Sequence, residues 1–290
     1  MSGFRLGVIT DEISQELSEA LDVAEEFALD GVEIRSVWDR SPFELTGEDG
    51  ERIRALTRER GLSVCGISAP FFKCALDSEE ERRAHLAGLE RCIRLAELWE
   101  APIIRGFSFW GEGTFDQALP RIAEAYQEPA KLAARHGITL ALESDPSVHG
   151  VNGRQLARLV DAIGSPAVRA LWDPGNDLYA PLPERPYPEG YEAIRGWIAH
   201  VHLKDARLLN GQAEGCCFGE GEMDWEGQLR ALKRDGYQGW LVMETHYRLA
   251  AVLSEEELKR PGGASFSAGG REPTRRCLKA LRELLRTVDS

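Results

Sequence analysis

The sequence predicts an α/β protein built as a closed (β/α)8 barrel, and three observations carry that reading. Eight short apolar runs rich in β-branched residues alternate with stretches whose apolar residues fall three and four apart, the pattern of buried strands between amphipathic helices. At 290 residues the chain is close to the roughly 250 that one such barrel uses, so a single domain over 1–290 suffices. The turn after the first run reads ITDEISQELS and holds no glycine, whereas an open doubly wound sheet usually carries a glycine-rich phosphate loop there.

In chain order, RLGVITD (5–11), GVEIRSV (31–37), SVCGISA (63–69) and PIIRGFSF (102–109) read as the first four strands. ITLALES, VRALWDPGN, IAHVHLKDA and GWLVMETHY follow as the next four, about every 30 to 40 residues. Leu17, Leu21, Ala24 and Ala28 mark the first helix, Ile53 and Leu56 the second, and Leu86, Leu89, Ile93 and Leu95 the third. Further helices are predicted near 115–136, 152–164, 190–196, 225–235 and 272–287. Gly31, Gly61, Gly137 and Gly236 suit helix C-terminal stops, and Asp224 suits the N-cap of the helix at 225. The connections 177–189, rich in proline, and 207–223, containing CCFGEGE, are long enough to wall a pocket. The stretch RPGGASFSAGG at 260–270 reads as a flexible loop that covers the site or meets a neighbouring subunit.

Composition narrows the partners. Lys and Arg number 35 against 48 Asp and Glu, a formal net charge of −13 that repels nucleic acid phosphates and anionic membranes and leaves a small polar substrate as the compatible ligand. The six cysteines form no CxxC pair and fall within apolar patterns, as reduced core thiols do. MSGFRLGVITDEI lacks the order of a secretion signal, and no run approaches the ~18 apolar residues of a membrane span. A cytoplasmic protein is expected.

The second half of the chain carries the chemistry. Glu143, Asp173, His202 and Glu244 each sit near the C-terminal end of one of the last four predicted strands, where a barrel builds its active site. Any one of them alone reads as a helix cap or a surface group. Together, three carboxylates and one imidazole suit a divalent cation with mixed oxygen and nitrogen ligands. In HVHLKD, alternation puts His200, His202 and Lys204 on the inward face, with His202 nearer the strand end.

WDPGN, HVHLKDA and METH resemble the sugar phosphate isomerase/epimerase superfamily, the xylose isomerase-like TIM barrels, and the resemblance spans essentially the whole chain. It implies one divalent ion, manganese in the first place and otherwise cobalt, magnesium or zinc, held by Glu143, Asp173, His202 and Glu244. It implies a carbohydrate substrate and a homo-oligomer. His200 is then a buried neighbour of the ligand set. The chain departs from parts of that superfamily: Asn176 stands where the ketose 3-epimerases and the endonuclease branch carry a histidine, and Arg207 follows His202 by five positions rather than six. The first four predicted strands contain no histidine, which argues against the multi-zinc site of the endonuclease branch.

A metal so held polarises a hydroxy-ketone and stabilises the enediolate formed when a neighbouring C–H is deprotonated. By resemblance to the epimerases, Glu143 and Glu244 are the catalytic pair that removes and returns the proton. The reading is therefore a sugar isomerase or epimerase acting on a small ketose, keto-polyol or sugar phosphate. An inosose dehydratase-like lyase is the alternative, and a non-catalytic carbohydrate-binding barrel the less favoured one. Asn176, Lys204, Arg207 and His246 are candidate substrate-binding residues, Lys204 as a hydrogen-bond or proton donor. Lys73 is a candidate for a substrate anion and Trp110 for an apolar wall, with Phe72 assigned to the core. Glu33 and Arg35 either line the barrel mouth or pair with each other structurally, the structural reading being favoured, and Asp11 and Glu12 read the same way.

Overall fold

The computed structural model describes residues 3–180, 185–250 and 252–289. Strands β1 (Arg5–Ile9), β2 (Gly31–Ile34), β3 (Ser63–Phe71), β4 (Ile103–Gly106), β5 (Thr139–Glu143), β6 (Val168–Trp172) and β7 (Ile198–Leu203) precede a short ribbon, β8 (Ala206–Leu209) and β9 (Gln212–Gly215), and then β10 (Trp240–Met243). Eight of them close a parallel barrel in the order β1-β10-β7-β6-β5-β4-β3-β2. The sequence-predicted barrel is the architecture found.

Helices cover the outside. They are α1 (Leu17–Glu26), α2 (Gly47–Glu59), α3 (Glu79–Trp99), α4 (Phe115–Ala125), α5 (Gln127–Arg135), α6 (Gly153–Ile163), α7 (Pro174–Asp177), α8 (Tyr191–Ile194), α9 (Trp225–Arg234), α10 (Glu255–Lys259), α11 (Gly263–Ser267) and α12 (Arg271–Asp289). Their starts follow from local chemistry. Thr46 and Asp49 form a reciprocal capping box on α2, and Asn152 accepts from Gln155 N at 2.9 Å to open α6. The apolar core lies between barrel and helices, with Val8, Val32, Leu140, Val201 and Leu203 packed against helix residues such as Leu21, Ile53, Leu89, Leu156, Leu229 and Leu281.

Four features differ from the sequence reading, each for a local reason. Gly31 stops no helix; it opens β2, where a side chain would run into the Ser63 carbonyl and the Trp240 ring. The helix predicted over 115–136 is two helices, because Pro129 has no N–H to give the carbonyl four residues back. The connection 207–223 holds the antiparallel β8/β9 ribbon, turned by Asn210 and Gly211 at φ 53° and 80°, a two-residue turn that favours Asn-Gly. The predicted loop at 260–270 contains α11 and follows α10. In the 177–189 connection, residues 181–184 lie outside the described residues. Asp224 caps α9 as expected, accepting from Gly227 N at 2.8 Å.

Candidate metal centre and active site

The barrel brings four strand-end side chains to one point. Glu143 is the last residue of β5, Asp173 follows β6, His202 lies inside β7 and Glu244 follows β10. One candidate ligand atom from each lies within 4.8 Å of all the others, and all four residues are buried. Hydrogen bonds from neighbouring groups fix each carboxylate. Asp173 Oδ1 accepts from Asn176 N at 3.3 Å, capping α7 with Pro174 at its first position, so the cap and the candidate ligand are one residue. Lys204 Nζ lies 2.7 Å from Asp173 Oδ2 but outside hydrogen-bond geometry, and this buried oxygen has no hydrogen-bond partner. Arg105 donates to Glu143 Oε2 at 3.1 Å, leaving Oε1 at 3.0 Å from His202 Nδ1. Arg35 donates to Glu244 Oε1 at 2.6 Å, while Oε2 receives Lys204 at 2.8 Å.

The electrostatics fit a cation. Six buried carboxylates (Asp11, Glu12, Glu33, Glu143, Asp173, Glu244) are linked to four buried cations (Arg35, Arg105, Lys204, Arg248), leaving two negative charges before any histidine is protonated. Burial pushes the Asp173 carboxyl up, Lys204 pulls it back, and Glu244 and Glu143 leave it at about 7. Burial disfavours charge on His202, yet Glu33, Glu143 and Glu244 hold its pKa well above the usual imidazole value. Protons and the Lys204 ammonium thus balance carboxylates that a divalent cation would balance instead. With one Asp173 oxygen met, among the described residues, only by the Lys204 ammonium, the donor set suits a divalent metal.

Residues 21–268 match the xylose isomerase-like TIM barrel family. The chain belongs to that family. Among similar proteins are two inosose dehydratases. The one from Glaesserella parasuis is 27% identical over 232 residues, covering 74% of this chain and 70% of that protein. The one from Yersinia enterocolitica is 28% identical over 144 residues, covering 44% of this chain and only 48% of that protein's length. Among solved structures, a D-tagatose 3-epimerase-like protein superposes with a TM-score of 0.74 at 19% identity, over 99% of this chain and 98% of that one. The apo form of 3-keto-D-glucoside 4-epimerase from E. coli gives 0.71 at 18% identity, over 98% and 99%. At such identities the structural likeness speaks to the fold.

The other sequence-predicted site residues of this family member divide. Lys204 is in the cluster, fully charged because its carboxylate neighbours outweigh burial. His246 also reaches it, with Nε2 at 3.4 Å from Glu12 Oε1 and 3.5 Å from Glu244 Oε1; burial keeps its pKa well below the usual value. Asn176 is adjacent but committed, its Nδ2 donating to the Ser144 carbonyl at 2.9 Å. Arg207 is not brought in: it sits on the β8 ribbon, half-exposed, paired with Glu220 at 2.5 Å. The ribbon displaces it from the barrel mouth. Phe72 stacks between Phe71 and Phe109 in the core.

A cavity of about 490 Å³ opens over the β2–β4 side, reached by Arg35, Ser68, Lys73, Arg105 and Trp110 and roofed by 259–263. Arg35 and Arg105 join it to the cluster, because each also grips one of the two glutamates. Lys73 pairs with Asp145 at 2.7 Å, and Trp110 carries Lys259 Nζ 4.6 Å from its ring centre.

Sequence reasoning missed the supporting residues. Glu33 and Arg35 do not form a pair: Glu33 meets His200 and His202, while Arg35 bridges Asp11, Glu12 and Glu244. They lie two apart, Glu33 inside β2 and Arg35 just past its end, so both point inward at different depths. Arg105 was passed over inside PIIRGFSF, although a charged residue in an apolar run is itself a signal. Asp205 accepts from Ala206, Gly219, Gly221 and Met223 backbone N–H groups and so ties down the CCFGEGE loop.

Proposed function

We propose that the protein is a divalent-metal-dependent isomerase or epimerase of a small ketose, keto-polyol or sugar phosphate. The observation that carries this reading is the convergence of Glu143, Asp173, His202 and Glu244 within 4.8 Å at the barrel mouth, beside a cavity. Family membership and the epimerases among the structural neighbours support it. A bound cation, manganese in the first place, would polarise the substrate carbonyl and stabilise charge on the adjacent oxygens.

The protein's own groups supply the rest. Arg105 and Arg35 each grip one oxygen of a glutamate and leave the other facing the shared centre. From there one takes a proton beside the carbonyl and the other returns one on the opposite face, which gives epimerisation; return at the adjacent carbon gives isomerisation. Arg35 and Arg105 also border the cavity, where a sugar hydroxyl meets their remaining N–H groups.

A second reading, dehydration, is favoured by the inosose dehydratases among the relatives and by Lys204. An ammonium amid the ligand carboxylates can protonate a departing hydroxyl. Incubating the manganese-loaded protein with a panel of ketoses and inososes in deuterium oxide separates the readings. Carbon-bound deuterium with an epimeric or isomeric product supports the first, and an ultraviolet-absorbing enone supports the second. Neither signal across the panel would remove both.

A further inference from the structure

We propose that Glu33 is the positioning residue that aims His202 at the metal, accepting from Nε2–H so that Nδ1 is the ligating nitrogen. The inference rests on the metal reading above. His202 Nδ1 lies 3.0 Å from Glu143 Oε1 and 3.5 Å from Glu244 Oε2, so this nitrogen faces the ligand cluster. Its Nε2 faces the other way, 3.2 Å from Glu33 Oε1. An ionised carboxylate can only accept, so it selects the imidazole form whose proton is on Nε2 and whose lone pair is on Nδ1.

Glu33 is itself held fast. The Ser68 hydroxyl donates to its Oε1, and His200 Nε2 lies 2.6 Å from its Oε2. Glu33, Ser68, His200 and His202 are all buried, at 1% exposure or less. β2 and β7 are not neighbours in the barrel, so this contact runs across the interior and makes the first half of the chain responsible for the geometry of a ligand in the second. The Glu33, His200 and His202 donors are also close enough together to be considered as a second cation site. The hydrogen bonds assign these donors to positioning instead: His200 Nε2 and His202 Nε2 meet separate oxygens of one carboxylate to which Ser68 also donates, so the groups satisfy one another.

The test compares the full-length protein with Glu33→Gln. Isothermal titration with zinc and with manganese gives affinity and stoichiometry, and nitrogen-15 shifts of the imidazoles in the zinc-loaded protein report which His202 nitrogen is protonated. The parent is expected to bind one ion with His202 protonated on Nε2. In the variant, affinity should fall roughly 10- to 100-fold and the single His202 form should be lost. Should Glu33→Gln not fold, Ser68→Ala, which only loosens Glu33, is expected to weaken binding by a smaller factor in the same direction. Equal affinity and an unchanged His202 form in the variants would overturn the proposal while leaving the metal site standing. So would a second bound ion in the parent that Glu33→Gln alone abolishes. A parent that binds no ion would instead remove the metal reading on which the proposal rests.

Discussion

The two halves of the barrel mouth are built on opposite principles. On β5, β6, β7 and β10 the strand ends crowd three carboxylates and an imidazole together, and the cost shows in Asp173, whose carboxyl is pushed up to about 7 by burial and its acidic neighbours although Lys204 opposes. On β2 and β4, Arg35 and Arg105 relieve that crowding by gripping Glu244 and Glu143. One half concentrates charge for chemistry, and the other keeps the fold intact around it. Substitutions should therefore separate: changes in the acidic half cost activity with little loss of stability, and changes in the basic half cost stability first.

The largest effect should come from Glu143→Gln, which removes a candidate ligand and proton carrier together. Turnover and solvent deuterium exchange are expected to fall about 10³-fold, with the metal-free protein losing less stability than Arg35→Met loses, because the amide oxygen still accepts from Arg105 and one crowded charge has gone. A large drop in melting temperature would break the comparison. Arg35→Met strands Asp11, Glu12 and Glu244 without their shared cation. Denaturant unfolding should show a loss of roughly 3–5 kcal/mol. Arg105→Met, which frees one carboxylate, should lose less.

Cation binding probes both halves at once. Manganese at a hundred times its dissociation constant should add about 2.7 kcal/mol of stability by mass action, and a chelator should remove it; a melting temperature indifferent to both would count against the site. A smaller effect belongs to His85, which lies outside the charge network and accepts from Phe72 N through Nδ1 at 2.9 Å. Burial lowers its pKa from the usual 6.5, so the unfolded chain binds its proton first. Stability should be level above about pH 6.5 and decline modestly as pH falls from there toward the folded-state value. The pH-dependent difference between parent and His85→Asn measures it. Smallest of all is Arg207→Ala: its exposed pair with Glu220 contributes about 0.2–1 kcal/mol at most, and kcat/KM should stay within about twofold of the parent. A tenfold loss would return Arg207 to the site.

The acidic half was legible in the sequence because its residues announce themselves. A single carboxylate or imidazole at the end of an apolar β-branched run reads as a cap or a surface group, but four such ends recur at barrel spacing. The barrel was legible for the same reason of periodicity. The basic half was not, because Glu33 and Arg105 lie within strands and Arg35 just past one, where two-residue alternation says which side they face but not what they meet across the interior. Glu33 and His202 are 169 positions apart; only closure of the barrel pairs them. Arg207 failed for a different reason, since the Asn-Gly turn that folds its segment into a ribbon was read as loop.

Asp173 begins a helix with one oxygen and faces the ligand cluster with the other. Its side-chain angle is therefore set while the protein folds, before any ion arrives. Freezing a side chain on binding typically subtracts about 0.5–1.5 kcal/mol from affinity, and at this ligand the loss falls on folding instead. The same economy ties two traits together. Lengthening the side chain by one methylene in Asp173→Glu would keep the charge but uncouple the cap from the ligand, so helix start and metal affinity would decline together from a single substitution that changes neither net charge nor donor type.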